Sequence, residues 1–159
     1  SPDGAILAAV GGSPGRFGEV QLWGPRERTL VQSVGVGFDS LYGAAFSDDG
    51  KLLAFGSTDK SAQILNVEEG KVIRRIDQHE DWVFGTAFSK DRKNLIRASR
   101  DRALKLIEAD TGSFVDNITS ITPGVLGGPL FALARHPADE ELRQVLRAPW
   151  PGVAGRHGV

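Results

Sequence analysis

The chain has 159 residues, 25% of them charged, with Lys and Arg at 19 against Asp and Glu at 20 and a formal net charge of −1. That balance removes the bulk electrostatic attraction a polyanion or an anionic bilayer would exploit, so neither nucleic acid nor a membrane is expected as a partner. The absence of cysteine excludes disulfides, thiolate metal sites and thiol catalysis, and no run approaches the roughly 20 apolar residues that cross a bilayer.

In chain order, Ser1-Pro2-Asp3-Gly4 is turn chemistry, without the basic start and apolar stretch of a secretion signal. Methionine is absent throughout, so Ser1 is not a natural translation start and the chain is expected to be an excised, processed or incompletely recovered piece. Apolar runs at 5–10, 19–24 and 29–34 have strand length. Between the first two lies Gly11-Gly12-Ser13-Pro14-Gly15-Arg16-Phe17-Gly18, read as a long hairpin turn. It could cradle a phosphate only if it opened a helix, and it leads into a strand.

From 39 to 76 the sequence writes a unit that it repeats from 81 to 118, at an offset of 42 residues. Identical pairs include Asp39/Asp81, Gly43/Gly85, Phe46/Phe88, Ser47/Ser89, Asp49/Asp91, Leu53/Leu95, Ser57/Ser99, Asp59/Asp101 and Gly70/Gly112. Within the first copy, short apolar runs at 41–46, 52–55, 61–67 and 71–76 are separated by Asp48-Asp49-Gly50, Ser57-Thr58-Asp59-Lys60 and Glu68-Glu69-Gly70. Four short strands recurring at about 40 to 45 residues predict an all-β fold built from propeller blades rather than a sandwich. Ser1 to Gly4 aligns with the turn at 47–50, so the chain starts inside an incomplete blade, 1–36. Two whole blades follow at 37–78 and 79–120, and residues 129–137 restart a single strand of a fourth. Residues 138–159 read as a short helix over 138–147, with acids in its first turn and Arg143 and Arg147 later, followed by a disordered Pro- and Gly-containing tail.

These motifs resemble the WD40-repeat β-propellers. Glu19-Val20-Gln21-Leu22-Trp23-Gly24 is similar to the family's Trp-Asp ending with glycine for aspartate, while Leu65-Asn66 and Ile107-Glu108 have drifted there. Phe46-Ser47-Asp48-Asp49-Gly50, Ser57 two before Asp59, and His79 ahead of Asp81-Trp82-Val83 also look like family signatures. The resemblance covers residues 1 to about 137 and implies a structural hydrogen-bond network of His79, Ser99 and Asp101. Ile107 breaks the fourth member of that network, and in the preceding blade only Ser57 and Asp59 are present, with Gly37 where the histidine would be, so both blades are expected to be less rigid. The 11–18 turn and Ala134-Arg135-His136-Pro137 are also similar to propeller domains of bacterial proteins that carry a c-type cytochrome module elsewhere. No haem motif stands in this chain, and no cofactor is expected.

Tyr42, Phe84 and Phe131 take the same place early in the first strand of three successive units. The resemblance puts that place near the mouth of the central channel, with Thr58, Arg100 and Trp82 on the same face. Aromatics beside an arginine are the residue types that anchor protein interfaces; the competing reading is that Tyr42 and Phe84 pack between blades. Ser99, His79 and Asp101 carry the residue types of a hydrolytic triad, but no strained Gly-x-Ser-x-Gly elbow or oxyanion site accompanies them. His79, His136 and His157 lack metal-ligand spacing, and Asn117-Ile118-Thr119 fits a glycosylation sequon. Lys90, Arg92, Lys93, Arg97, Arg100, Arg102 and Lys105 against Asp91 and Asp101 make a basic hairpin, read either as an anion-binding surface or as solvated strand positions.

The function expected is a non-catalytic protein-binding scaffold. The alternative is a propeller-type enzyme holding a small substrate or metal at the channel mouth. An open fan of blades leaves faces uncovered, so the remaining blades or self-association are expected to complete it.

Overall fold

The computed structural model describes residues 1–77, 81–119, 130 and 132–134. Every regular element among them is a strand. β1 (Leu7–Ser13), β2 (Phe17–Gly24) and β3 (Thr29–Gly37) form a three-stranded sheet. β4 (Leu41–Phe46), β5 (Leu52–Ser57), β6 (Ala62–Asn66) and β7 (Lys71–Ile76) form a four-stranded sheet in chain order. β8 (Val83–Phe88), β9 (Asn94–Ser99), β10 (Leu104–Glu108) and β11 (Phe114–Asn117) form another of the same order. All pairings are antiparallel. The all-β, partial-propeller class expected from the repeat is the class observed.

The turns follow from their residues. Asn66 accepts the Glu68 and Glu69 amides on its side chain, and Gly70, at φ 63°, donates back to the Asn66 carbonyl at 2.9 Å. Gly112, at φ 77°, closes the equivalent turn on Glu108 at 2.8 Å. Both sit in left-handed backbone where a Cβ is strained.

One expectation needs correcting. The stretch 11–18 is mostly not a turn, because Gly11↔Glu19, Gly12↔Gly18 and Ser13↔Phe17 continue the β1 and β2 ladder. Only residues 14–16 connect the strands, with Arg16 donating its amide to the Ser13 carbonyl at 3.0 Å. Glycine at 11, 12 and 18 disguised strand as loop. The expected helix at 138–147 and most of the expected strand at 129–137 lie outside the described residues.

The core lies between sheets. Val20 and Leu22 of the first sheet pack with Leu41, Leu53, Phe55 and Leu65 of the second. Ala54, Ile64 and Ile76, from the second sheet's other face, pack with Phe88, Leu95 and Ile107 of the third. A sheet covered on both faces reads as continuous apolar sequence, which is why β5 and β6 are buried almost throughout. β2, covered on one face, alternates.

Glycines bring the inner strands together. A methyl added at Gly43, itself at φ 52°, would run into the Phe84 carbonyl oxygen, and one at Gly56 into that of Val83. Thr86 then places its hydroxyl 2.6 Å from the Gly43 carbonyl and 3.0 Å from that of Ala54, bridging the two sheets.

Gly43→Ala is expected to lower stability by more than about 1 kcal/mol, combining left-handed strain with displacement of β8. Phe55→Ala is expected to cost about 3 to 5 kcal/mol through the cavity left between the first and second sheets. Urea titration followed by tryptophan fluorescence checks both.

Candidate functional site

Two rims result from stacking the sheets side by side. One gathers Ser-x-Asp turns: Ser1, Ser47 and Ser89 donate their hydroxyls to Asp3, Asp49 and Asp91. Neighbouring turns touch there, Pro2 lying 3.7 Å from a methyl built on Gly50 and Arg92 pairing with Asp49.

The opposite rim carries the described residues among those singled out for binding. The turn after β5 is tied to the chain ahead of β4, Thr58 donating its amide to the Ser40 carbonyl at 3.1 Å. The turn after β9 is tied in the same way, Arg100 donating to the Trp82 carbonyl at 2.9 Å. The turn between β1 and β2 joins them, the Gly15 amide donating to Asp39 Oδ1 at 2.9 Å.

Four of the six residues singled out for binding meet on this rim. Tyr42 and Phe84 pack edge to face with ring centroids 5.4 Å apart, and Trp82 meets Phe84 at 6.1 Å and 88°. Arg100 sets its guanidinium 5.0 Å from the centre of the Trp82 ring and 3.8 Å from Asp81. Such ring pairs contribute about 0.5 to 1.5 kcal/mol each beyond burial. Tyr42 and Trp82 stay 38% and 39% exposed, so these rings both bridge the second and third sheets and face solvent. Thr58 is drawn inward, its hydroxyl 3.4 Å from the Ser40 carbonyl. Phe131 lies outside the described residues, although Leu130 donates to the Ser99 carbonyl at 3.4 Å and Leu133 sits against Gly85.

Of the structural network, Ser99 donates to the Asp81 carbonyl at 3.2 Å and accepts the Asp101 amide, while Asp101 accepts the Ala103 amide at 2.9 Å. His79 lies outside the described residues. In the preceding sheet Ser57 accepts the Asp59 amide, and Asp59 accepts the Ser61 amide and hydroxyl. Asp59 also pairs with Arg75 of β7 at 2.9 Å, a partner the sequence reading missed. Burial raises the Asp59 carboxyl, but the hydrogen bonds from Ser61 and Ser57 and the Arg75 charge outweigh it, leaving the group below its ordinary 3.8.

The basic stretch from 90 to 105 is not one surface. Arg92 belongs to the far rim and Arg100 to the near one. Arg97 is fully buried, donating to the Ile76 carbonyl at 3.3 Å. It occupies the slot that Phe55 fills one repeat earlier. Burial lowers its guanidinium to about 10 against the pull of Asp101 and Asp77, so it remains charged at neutral pH. Among the described residues no group of His, Asp and Glu is arranged to hold a metal.

Side-by-side four-stranded meanders with cores between them define a β-propeller. The WD domain, G-beta repeat family matches residues 29–66 and 70–108. Each match starts on the outermost strand of one sheet and ends on the third strand of the next, so each sequence repeat sews two sheets together. The solved "Structure of U3-55K" is similar at a TM-score of 0.65 and 23% identity, over 73% of this chain and 36% of that one. The chain thus spans just over a third of that neighbour's length. No curated protein matches significantly. The chain belongs to the WD40-repeat β-propellers.

Because the folded Asp59 titrates below its ordinary value, its contribution is present above the unfolded carboxylate range and lost as pH falls through the folded value. The drop in melting temperature between about pH 6 and about pH 3 is expected to be smaller in Asp59→Asn than in the parent chain. Scanning calorimetry at both pH values checks this.

Proposed function

We propose that the chain is part of a rigid, non-catalytic platform whose 58–60 and 100–102 rim docks another protein. Support comes from the family, whose members generally act as protein-interaction scaffolds. The observation that carries the reading is the Tyr42, Phe84, Trp82 and Arg100 row. Its rings are preorganised by edge-to-face contacts, so a partner covering them gains apolar burial with little ordering cost. Trp82→Ala and Arg100→Ala are each expected to weaken partner capture by about tenfold or more, while melting temperature stays within a few degrees. Quantitative capture from extract with parent and variant chains reads this directly. Stabilisation of the chain by a small molecule or metal, with no protein retained, would favour the enzyme reading and overturn the proposal.

Completion of the ring belongs to the same reading. The first sheet's outer face exposes Leu7 at 59% and half-exposes Trp23. The equivalent positions, Leu53 and Leu65, are fully buried against a neighbouring sheet in the second blade. Further blades or a second copy of the chain cover that face. Light scattering of the chain alone is expected to show mass rising with concentration; a constant monomer mass at high concentration contradicts it.

A further inference from the structure

The β1 and β2 hairpin is longer than its counterparts. In the second sheet the ladder ends at Gly56↔Ala62, the position that Val10↔Val20 holds in the first. β1 and β2 add the pairs at Gly11, Gly12 and Ser13, where the second sheet adds only the Ser57 amide on the Ser61 carbonyl before a turn of the same length, and two further residues at about 3.3 Å each carry the tip about 6 to 7 Å past the neighbouring turn. The arm is held firmly. Gly15 is bonded to Asp39, and Gly18 is so close to the Asp39 carbonyl and Leu41 that no side chain fits. At its last rung Gly18 pairs with Gly37, and the residues flanking that pair, Phe17 and Phe38, are 50% and 80% exposed.

The acids on the same rim are already engaged. Asp39, Asp59, Asp81 and Asp101 are half-buried and accept the amides of Gly15, Ser61, Trp82 and Ala103, Asp81 also pairs with Arg100, and the exposed Asp77 at the end of β7 pairs with Arg75. Arg16, Lys60, Arg100 and Arg102 are exposed. With Asp77 and Arg75, five carboxylates and five cations balance at long range, so the field a polyanion such as RNA responds to is weak. At contact range around the arm, however, an approaching surface meets Arg16, Lys60 and the phenyl rings first.

We propose that the β1 and β2 arm is a second anchor of the docking rim, and that the occupant is an acidic polypeptide segment bearing bulky apolar side chains. The proposal rests on the docking role of the rim and names its partner chemistry. Phe17 and Phe38 bury against the segment's apolar residues, while its carboxylates meet Arg16 and Lys60. The rim's own acids are engaged by backbone amides and by Arg75 and Arg100, so they do not compete for Arg16 and Lys60.

Selection of random short peptides displayed on phage against the full chain tests this. Selected peptides are expected to be enriched in Asp and Glu together with Leu, Phe or Trp. Against synthetic copies, Phe17→Ser/Phe38→Ser and Arg16→Glu should each weaken binding by about tenfold or more. Phe114→Ser, equally exposed on the outermost strand, should leave it unchanged. Peptides that lose binding with Tyr42→Ser/Trp82→Ser but not with Phe17→Ser/Phe38→Ser would overturn the arm and leave the rim reading intact. Indifference to both pairs would overturn both. Enrichment of basic or uncharged peptides, or binding of fluorescent oligouridine that Phe17→Ser/Phe38→Ser abolishes, would overturn the acidic-segment assignment.

Discussion

Close approach of backbone to backbone between inner strands is the constraint on which the structure depends. Gly43 and Gly56 let β8 lie where any Cβ would strike a carbonyl oxygen, and Thr86 joins the sheets with its hydroxyl. Only at that spacing do the faces of adjacent sheets interleave into dry layers, each buried large side chain contributing about 1.5 to 3 kcal/mol. Neither sheet encloses a core of its own. Stability is therefore a property of neighbours, as it is in repeat architectures generally.

The same stacking builds the candidate site. Tyr42 and Phe84 come from different sheets, and they meet because the bulges beside Gly43 and at Phe84 re-aim the first strands at one end. Arg100 reaches Trp82 because the turn after β9 is bonded to the backbone that precedes β8. An interface anchor held this way loses little freedom on binding, which is the physical advantage a rigid platform has over a flexible loop. Solved chains matching the fold number 866, so the fold alone identifies no partner.

Arg97 shows how one blade can depart from its siblings without breaking the pattern. Its slot between sheets holds Phe55 one repeat earlier, yet the guanidinium fits because the Ile76 carbonyl lies at the end of β7 and Asp77 and Asp101 supply opposing charge. Removing such a partner from a buried charge costs more than the pair itself contributes. The second and third sheets are thus joined by a polar contact where the first and second are joined by an aromatic one.

The 42-residue recurrence, its Ser-x-Asp turns and the glycines at 70 and 112 were enough to read the all-β class, the four-stranded antiparallel unit and the family, because these depend on local chemistry repeated at fixed spacing. The repeat made Tyr42 equivalent to Phe84 and Thr58 to Arg100, and the family resemblance put them with Trp82 on one end. What a linear pattern cannot express is distance between sheets. Arg97 read as one of a run of surface cations, Asp59 and Arg75 gave no sign of pairing, and glycines at 11, 12 and 18 looked like loop. Each outcome was decided by a neighbouring sheet or strand, which buries a charge, supplies its counter-ion or extends a ladder through residues with little strand preference of their own.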